Sequence, residues 1–194
     1  MTNRGWQIFD KRVDWIITPL LLLILLQANA QTESSQRKKL GPSDFKGVPD
    51  ESSNYLARTY VRISFAYYNP VNCTTPGTVK LTCDTKAVVS EKSWMKLNRA
   101  KRFEQLEELL SHEQGHFDIQ EIFAIQLKRT VLATCFNKEN YKTQIDSLFR
   151  SMNRFYDSLQ LRYDAETDHM RNKDMQAIWK RKIANRLEKA NRSS

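Results

Sequence analysis

The stretch Ser111-His112-Glu113-Gln114-Gly115-His116-Phe117-Asp118 decides how the rest of the chain is interpreted. It contains the pattern H-E-x-x-H, and on a helix two histidines four residues apart lie on one face. Two imidazoles placed in this way can bind one zinc ion. Glu113, beside them, is then the candidate general base that activates a zinc-bound water. The pattern therefore predicts a zinc hydrolase site in which His112 and His116 are metal ligands and Glu113 is catalytic.

A catalytic zinc ion commonly has three protein ligands, so this chain must supply one more. The remaining histidine is His169, and we expect it to be the third ligand, delivered by a loop. Three glutamates compete with it, since each would give a site of two histidines and one glutamate: Glu121, Glu139 and Glu166. Glu121 ranks lowest because it points away from the metal face of the helix.

Residues around the histidines suggest supporting roles. Ligating histidines usually donate their second ring N–H to a carboxylate or carbonyl, and Asp118, Asp164 and Asp168 are the nearby acids. Tyr163 is a candidate catalytic residue that would hydrogen-bond an oxyanion, with simple packing as the alternative. Gly115 is costly inside a helix, which indicates that another backbone or the substrate approaches it closely.

The first 30 residues have the features of a secretory signal peptide. Basic residues precede the apolar run from Trp15 to Leu26, and Ala28-Asn29-Ala30 follows as a small-x-small cleavage site. The run is too short to favour a membrane span, and an uncleaved anchor is the minority interpretation. We expect export, hence a periplasmic or secreted protein whose mature chain begins at Gln31.

The chain carries a formal net charge of +9, concentrated at Arg37-Lys38-Lys39 and in the C-terminal residues. No recognisable nucleic-acid module accompanies this charge, so we expect no nucleic-acid partner. An ordinary solvated surface, or peripheral association with an anionic cell envelope, accounts for it. The expected partner is a peptide or protein substrate.

Export makes a disulfide possible among the three cysteines. Cys73 and Cys83 lie ten residues apart across a predicted hairpin, and this is the pair we expect, with Cys135 free. No two cysteines have the C-x-x-C spacing of a thiolate zinc site.

Hydrophobic periodicity predicts an α+β fold. Residues 59–68 and 79–89 alternate between apolar and polar positions, as half-buried strands do, and turn formers between them favour an antiparallel hairpin. A free edge strand of this sheet could bind an extended peptide, although core support is at least as good an explanation. Helical spacing runs from Phe103 through the metal motif to Leu127, again from Tyr141 to Leu159, and again from Met175 to Leu187.

The predicted organisation is a signal peptide (1–30), a polar leader and docking segment (31–58) in which Phe45 packs against the domain, and one domain (59–194). In that domain a small antiparallel sheet packs on a zincin-like H-E-x-x-H helix, and further helices follow.

Four segments together resemble a known family: Asp44-Phe45-Lys46-Gly47, the motif from His112 to Ile119, Tyr163-Asp164-Ala165-Glu166-Thr167-Asp168-His169, and Gln176-x-x-Trp179. They are similar to secreted bacterial proteins of unassigned function that are described as predicted zinc-dependent proteases. The resemblance implies a Gram-negative envelope or exported location and a metallopeptidase-like site. In the family pattern glycine commonly follows the histidine that matches His169, and Met170 stands there in this chain.

Two classes of function follow. The first is an exported zinc metallohydrolase, most simply a peptidase, with a cell-wall amidase as a variant that the sequence does not separate from it. The second is a non-catalytic envelope binding protein with a structural or vestigial zinc site. A closed site with four protein ligands favours the second class, and an open position in a cleft favours the first.

Overall fold

The computed structural model describes residues 37–100 and 103–192. In chain order they form a 3-10 helix (Pro42–Asp44), β1 (Ala57–Arg58), β2 (Val61–Asn72), β3 (Thr78–Val89), β4 (Trp94–Met95), α1 (Phe103–Ala133), β5 (Phe136–Asn137), α2 (Tyr141–Thr167) and α3 (Lys173–Arg192). The predicted α+β class with a small antiparallel sheet and three helices is confirmed. No helix in the described ranges is both long enough and apolar enough to cross a membrane.

Helix α1 carries the motif and lies at the centre of the fold. Its apolar residues recur every three or four positions, and those on the inner face are almost completely buried: Ile119, Phe123, Leu127 and Val131 are 0% exposed. They pack on one side against the inner face of β3, at Leu81 and Cys83. The helix is therefore fixed by burial of one apolar stripe, as its spacing predicts.

Strands β2 and β3 form the predicted antiparallel hairpin. Their register pairs Val61 with Val89 and continues to Asn72 opposite Val79, with one irregularity between Tyr68 and Val71. The turn at Gly77 has a φ of 74°, a conformation that glycine adopts without steric cost. β3 lies at the centre of a three-stranded sheet in the order β2-β3-β5, and β1 pairs with β4 in a separate two-stranded sheet.

Helices α2 and α3 cover the other side of α1. Tyr156 of α2 stacks on Phe123 with ring centroids 4.9 Å apart, and Trp179 of α3 contacts the ring of Tyr163. Helix α2 is longer than its apolar periodicity indicates, because it runs on to Thr167 and includes Tyr163. The chain then leaves the helix through three consecutive residues with positive φ: Asp168, His169 and Met170.

The segment before β1 belongs to the same compact unit as the helices, which begins at Lys39. Leu40 is 4% exposed and packs with Phe117 of the motif helix, and Phe45 docks against the domain as predicted. Gly47 donates its N–H to the Ser93 carbonyl, and a Cβ at Gly47 would lie 2.4 Å from the Lys92 carbonyl oxygen. The predicted signal peptide lies outside the described residues.

The predicted Cys73–Cys83 disulfide is wrong, since Cys73 is bonded to Cys135 and Cys83 is free and buried. The Cys73 N–H donates to Thr78, so Cys73 lies at the turn end of the hairpin. Cys83 is five residues further along β3, about 16 Å away at the rise of an extended strand and beyond the reach of a disulfide. Cys135 lies next to β5, which pairs with β3 at Thr78 and Val79.

The Cys73–Cys135 disulfide should contribute strongly to stability. It joins cysteines 62 residues apart in sequence. Closing a loop of that length in the unfolded chain is worth about 4 kcal/mol in the loop-entropy model. We expect the double variant Cys73→Ser/Cys135→Ser to lose about that free energy of unfolding in urea titrations. Cys83→Ser is the control, because it removes the cysteine outside the crosslink and should therefore still lose stability when a reductant is added. Equal unfolding midpoints for oxidised and reduced wild-type protein would contradict the prediction.

Candidate metal centre

Each of the two motif histidines points its Nε2 atom towards the same place. Their Nε2 atoms lie 3.3 Å apart. The Nδ1 atom of His112 lies 3.0 Å from Oε1 of Gln176 on α3, and Nδ1 of His116 lies 2.5 Å from Oε1 of Gln160 on α2. Since an amide oxygen accepts, each Nδ1 carries the proton and donates it, which is the arrangement typical of metal-ligating histidines.

Asp164 of α2 completes a set of three donors. Its Oδ1 lies 3.2 Å from Nε2 of His112 and 2.9 Å from Nε2 of His116. Ligand bonds of about 2.0–2.1 Å in a tetrahedral site place neighbouring donors about 3.3 Å apart. The three atoms therefore have the spacing of ligands around one zinc ion. Sequence reasoning placed Asp164 only among the acids that could support a histidine.

His169 lies beside this set, so the structure brings all three histidines together. Its Nδ1 is 3.5 Å from Oδ1 of Asp164, and donor atoms of His112, Asp164 and His169 lie within 4.8 Å of one another. Its side chain is 37% exposed and its ring contacts that of Tyr55 in a tilted arrangement, with centroids 4.6 Å apart. His169 is thus on the solvent side of the cluster.

The competing glutamates do not belong to this donor group. Within the part of the chain that the structure describes, the donors close enough to share an ion include none of Glu121, Glu139 and Glu166. Glu166 accepts a hydrogen bond from Nε1 of Trp179 and pairs with Arg162. The backbone N–H of Glu139 donates to the Asn137 side chain beside β5.

Glu113 lies next to the donors on the cleft side and is 4% exposed. Its Oε2 accepts a hydrogen bond of 2.5 Å from the Thr59 hydroxyl, in the connection between β1 and β2. Nothing in the local sequence around Thr59 indicates this role, because the two residues are 54 positions apart. The hydroxyl fixes one carboxylate oxygen of Glu113, which lines the cleft.

Tyr163 lies behind the histidines and is completely buried. Its ring stacks on His112 with centroids 4.8 Å apart, its hydroxyl donates to the His112 carbonyl at 3.1 Å, and it accepts from Nε2 of Gln176 at 2.7 Å. A Cβ on Gly115 would lie 2.4 Å from that hydroxyl. The close approach expected at Gly115 is therefore real, but it is made by a side chain and not by a backbone or a substrate.

The remaining motif residues hold neighbouring segments. Oε1 of Gln114 accepts the Leu40 N–H at 2.7 Å, and its Nε2 donates to Oδ1 of Asp118 at 2.8 Å. Phe117 is 2% exposed in the cluster that contains Leu40. Residues on this side of the helix therefore anchor the N-terminal segment while the histidines face the cleft.

The donors open into a cleft of about 740 Å³. One wall is the extended segment 54–61, which includes β1 and Thr59. The other walls are α1, the last turns of α2 from Gln160 to Ala165, and the connection from His169 to Arg171. Glu113 and the donor groups all line it, whereas Tyr163 is not among the lining residues.

In the metal-free protein, the pKa values of Asp164 and His116 are set by their interaction with each other and with neighbouring charges. Burial raises the pKa of Asp164, but hydrogen bonds and charges from His112 and His116 outweigh it and hold this pKa below its ordinary value. Burial lowers the pKa of His116, and the hydrogen bond to Asp164 with the charges of Glu113 and Asp164 raises it overall. Burial also raises the pKa of Tyr163, so this hydroxyl stays protonated as a donor. A divalent cation bound between these donor atoms would take the place of the proton on a histidine Nε2.

The fold and the donor cluster define an α+β protein with a candidate metal centre at the base of a cleft. Residues 29–170 match the model of a family described as bacterial protein of unknown function (DUF922), and the chain belongs to that family. The expectation of a bacterial family of unknown function is thereby confirmed. No curated protein and no solved structure matches the chain.

Gly115→Ala tests the contact between α1 and α2. Alanine would gain about 1 kcal/mol of helix propensity. The new Cβ, however, collides with Tyr163, and overpacking of this kind costs about 1–3 kcal/mol. We expect a net loss of unfolding free energy in urea titrations. Gly41→Ala is the control, because nothing lies within 4 Å of a Cβ there. A Gly115→Ala protein more stable than wild type would contradict the packing.

Asp164→Ala should destabilise the metal-free protein in a pH-dependent way. The folded-state pKa of Asp164 is depressed, so its contribution is present above about pH 4, the ordinary carboxyl pKa, and is lost as the pH falls through the folded pKa. Urea midpoints of wild type and variant should therefore converge as the pH is lowered below about 4. Asp146→Ala, at an exposed position of the same helix, controls for the loss of a carboxylate. A difference that grows towards acid pH would refute the pairing.

Proposed function

We propose that this protein is a zinc-dependent hydrolase that cleaves peptide bonds, with a zincin-like arrangement in which the H-E-x-x-H helix lines a substrate cleft. The observation that carries the proposal is the spacing of 2.9–3.3 Å among Nε2 of His112, Nε2 of His116 and Oδ1 of Asp164. In this proposal Asp164 is the third ligand, in place of the histidine that the sequence favoured.

The residues present fit zinc. Imidazole nitrogens and a carboxylate oxygen are donors that zinc accepts, and both histidines have their second nitrogen fixed by a glutamine. Those glutamines come from α2 and α3, so packing of the two helices orients the rings before any ion binds. His169 lies on the exposed side, next to the space left for water and substrate.

Bound zinc would supply a Lewis acid that polarises a carbonyl and lowers the pKa of water to about 7. The protein's own chemistry rests on Glu113. Its carboxylate faces the cleft and can accept a proton from water and pass it to the leaving amine. The Thr59 hydroxyl holds this carboxylate in one orientation, which makes Thr59 a positioning residue.

Tyr163 has a supporting role in this proposal and not the oxyanion contact considered from sequence. Its hydroxyl is engaged by the His112 carbonyl and by Gln176, and the ring is completely buried. It therefore fixes the backbone and ring of His112. His169, which is partly exposed in the cleft, is better placed to meet substrate.

The Cys73–Cys135 disulfide supports the proposed export. Disulfides persist in oxidising compartments such as the periplasm and the exterior of the cell. This agrees with the signal peptide predicted in residues 1–30 and with a periplasmic or secreted protease.

One observation favours the alternative, a non-catalytic zinc-binding protein of the envelope. Nδ1 of His169 is 3.5 Å from the Asp164 carboxylate, close enough for a fourth ligand after a small movement. Four protein ligands would leave no position for a reacting water and would make the site structural.

Zinc content of purified variants separates these assignments. We expect about one zinc per chain in the wild type by elemental analysis. Asp164→Ala should lose most of it, since each lost ligand weakens binding, whereas His169→Ala and Glu113→Gln should retain it. With a casein or mixed-peptide substrate, Glu113→Gln should cut the zinc-dependent cleavage rate by about 10²–10⁴-fold.

Other patterns of zinc loss among the same variants would support a different ligand set. Zinc lost in both Asp164→Ala and His169→Ala would support the closed four-ligand site and the non-catalytic alternative. Zinc lost only in His169→Ala would restore His169 as third ligand. A wild-type protein that takes up no zinc after metal-replete purification would overturn the hydrolase proposal.

A further inference from the structure

Exposed apolar side chains collect around the cleft. Tyr55, Tyr60 and Leu161 line it, and they are 43%, 40% and 72% exposed. Exposed apolar patches rimmed by polar residues mark interaction sites, and aromatic residues, including tyrosine, are enriched at protein interfaces. The rim is therefore suited to contact a polypeptide.

The charges on the same rim are basic. Arg58 and Arg171 line the cleft, and within the described ranges the acids that line it are Glu113 and Asp164. Both acids belong to the metal centre, where a dication would balance their charge. The guanidinium of Arg58 lies over the Tyr60 ring, 5.3 Å from its centroid, and Arg171 makes a long ion pair of 3.5 Å with Asp168. Arginine in this setting can form bidentate bonds to a carboxylate.

The two arginines belong to different walls of the cleft. Arg171 follows Met170, which packs on the cluster of Ala57, Met95 and Leu109. Arg58 belongs to the extended wall segment 54–61, and Leu161 lies on α2 next to Gln160, the partner of His116. The donor groups of the candidate metal centre line the same cleft.

We infer that the cleft binds an extended polypeptide segment with acidic side chains, which places carboxylates on Arg58 and Arg171 and an apolar residue against Tyr60 and Leu161. This inference rests on the proposed function for its catalytic meaning, since it names the substrate class of that site. The recognition itself depends only on the rim, so it can be measured separately from hydrolysis.

The test uses the zinc-loaded Glu113→Gln protein and two short fluorescein-labelled peptides. One peptide is rich in glutamate, tyrosine and leucine, and the other has glutamine at every glutamate. Fluorescence anisotropy should show tighter binding of the acidic peptide, weakened by salt. Adding Arg58→Glu and Arg171→Glu should reduce that affinity by about tenfold and abolish the preference, because the rim then repels carboxylates.

A matched pair controls for net charge. Arg150→Glu with Arg154→Glu makes the same charge change at exposed positions of α2 that do not line the cleft, and the preference should survive there. Equal affinity for the two peptides, no measurable binding of either, or the same loss in both double variants would overturn the inference. Zinc content of these preparations and cleavage of a neutral peptide by the protein with Glu113 intact report on the proposed function alone, so neutral peptides cleaved without an acidic preference would overturn only the substrate class.

Discussion

The hydrogen bonds that hold the imidazoles of His112 and His116 on α1 between α2 and α3 set the arrangement of the whole helical layer. A buried polar side chain without a partner costs free energy, and His112 is 4% exposed. Gln176 of α3 satisfies one nitrogen, and Asp164 of α2 contacts the other. Tyr163 adds a hydrogen bond to the same residue's carbonyl. The apolar stripes bring the helices together, but this polar network fixes their register.

The residues of the H-E-x-x-H motif contact several different segments of the chain. Successive side chains leave a helix about 100° apart, so eight consecutive residues point in all directions. His112 and His116 face α2 and the cleft, Gln114 holds the backbone of Leu40, and Phe117 enters the apolar cluster beneath it. Gly115 lies where Tyr163 needs the space of a side chain. The residues Gln114 and Gly115, between the histidines, are thus constrained by their contacts with neighbouring segments.

Much of the fold could be predicted because local periodicity reports burial. Alternation located β2 and β3, and the three helices followed from apolar residues spaced three and four apart. The disulfide was missed because spacing along the chain does not say that Cys135 comes next to the start of β3 after a 31-residue helix. The sequence did not predict that Asp164 joins the donor cluster. The apolar pattern of α2 fades after Leu159, whereas the helix continues through polar residues to Thr167. Thr59 meets Glu113 only in three dimensions, so no local pattern could reveal it.

The bond between Cys73 and Cys135 makes a closed covalent ring of the chain between these residues. That ring contains β3, β4 and all of α1, and therefore both motif histidines and Glu113. A single backbone cut anywhere inside it leaves two pieces that are still joined through sulfur. In surroundings rich in proteases, a nick in an exposed connection would not release the motif helix, and the cut protein would migrate as one species until reduced. The disulfide therefore keeps a nicked chain in one piece in addition to stabilising the fold.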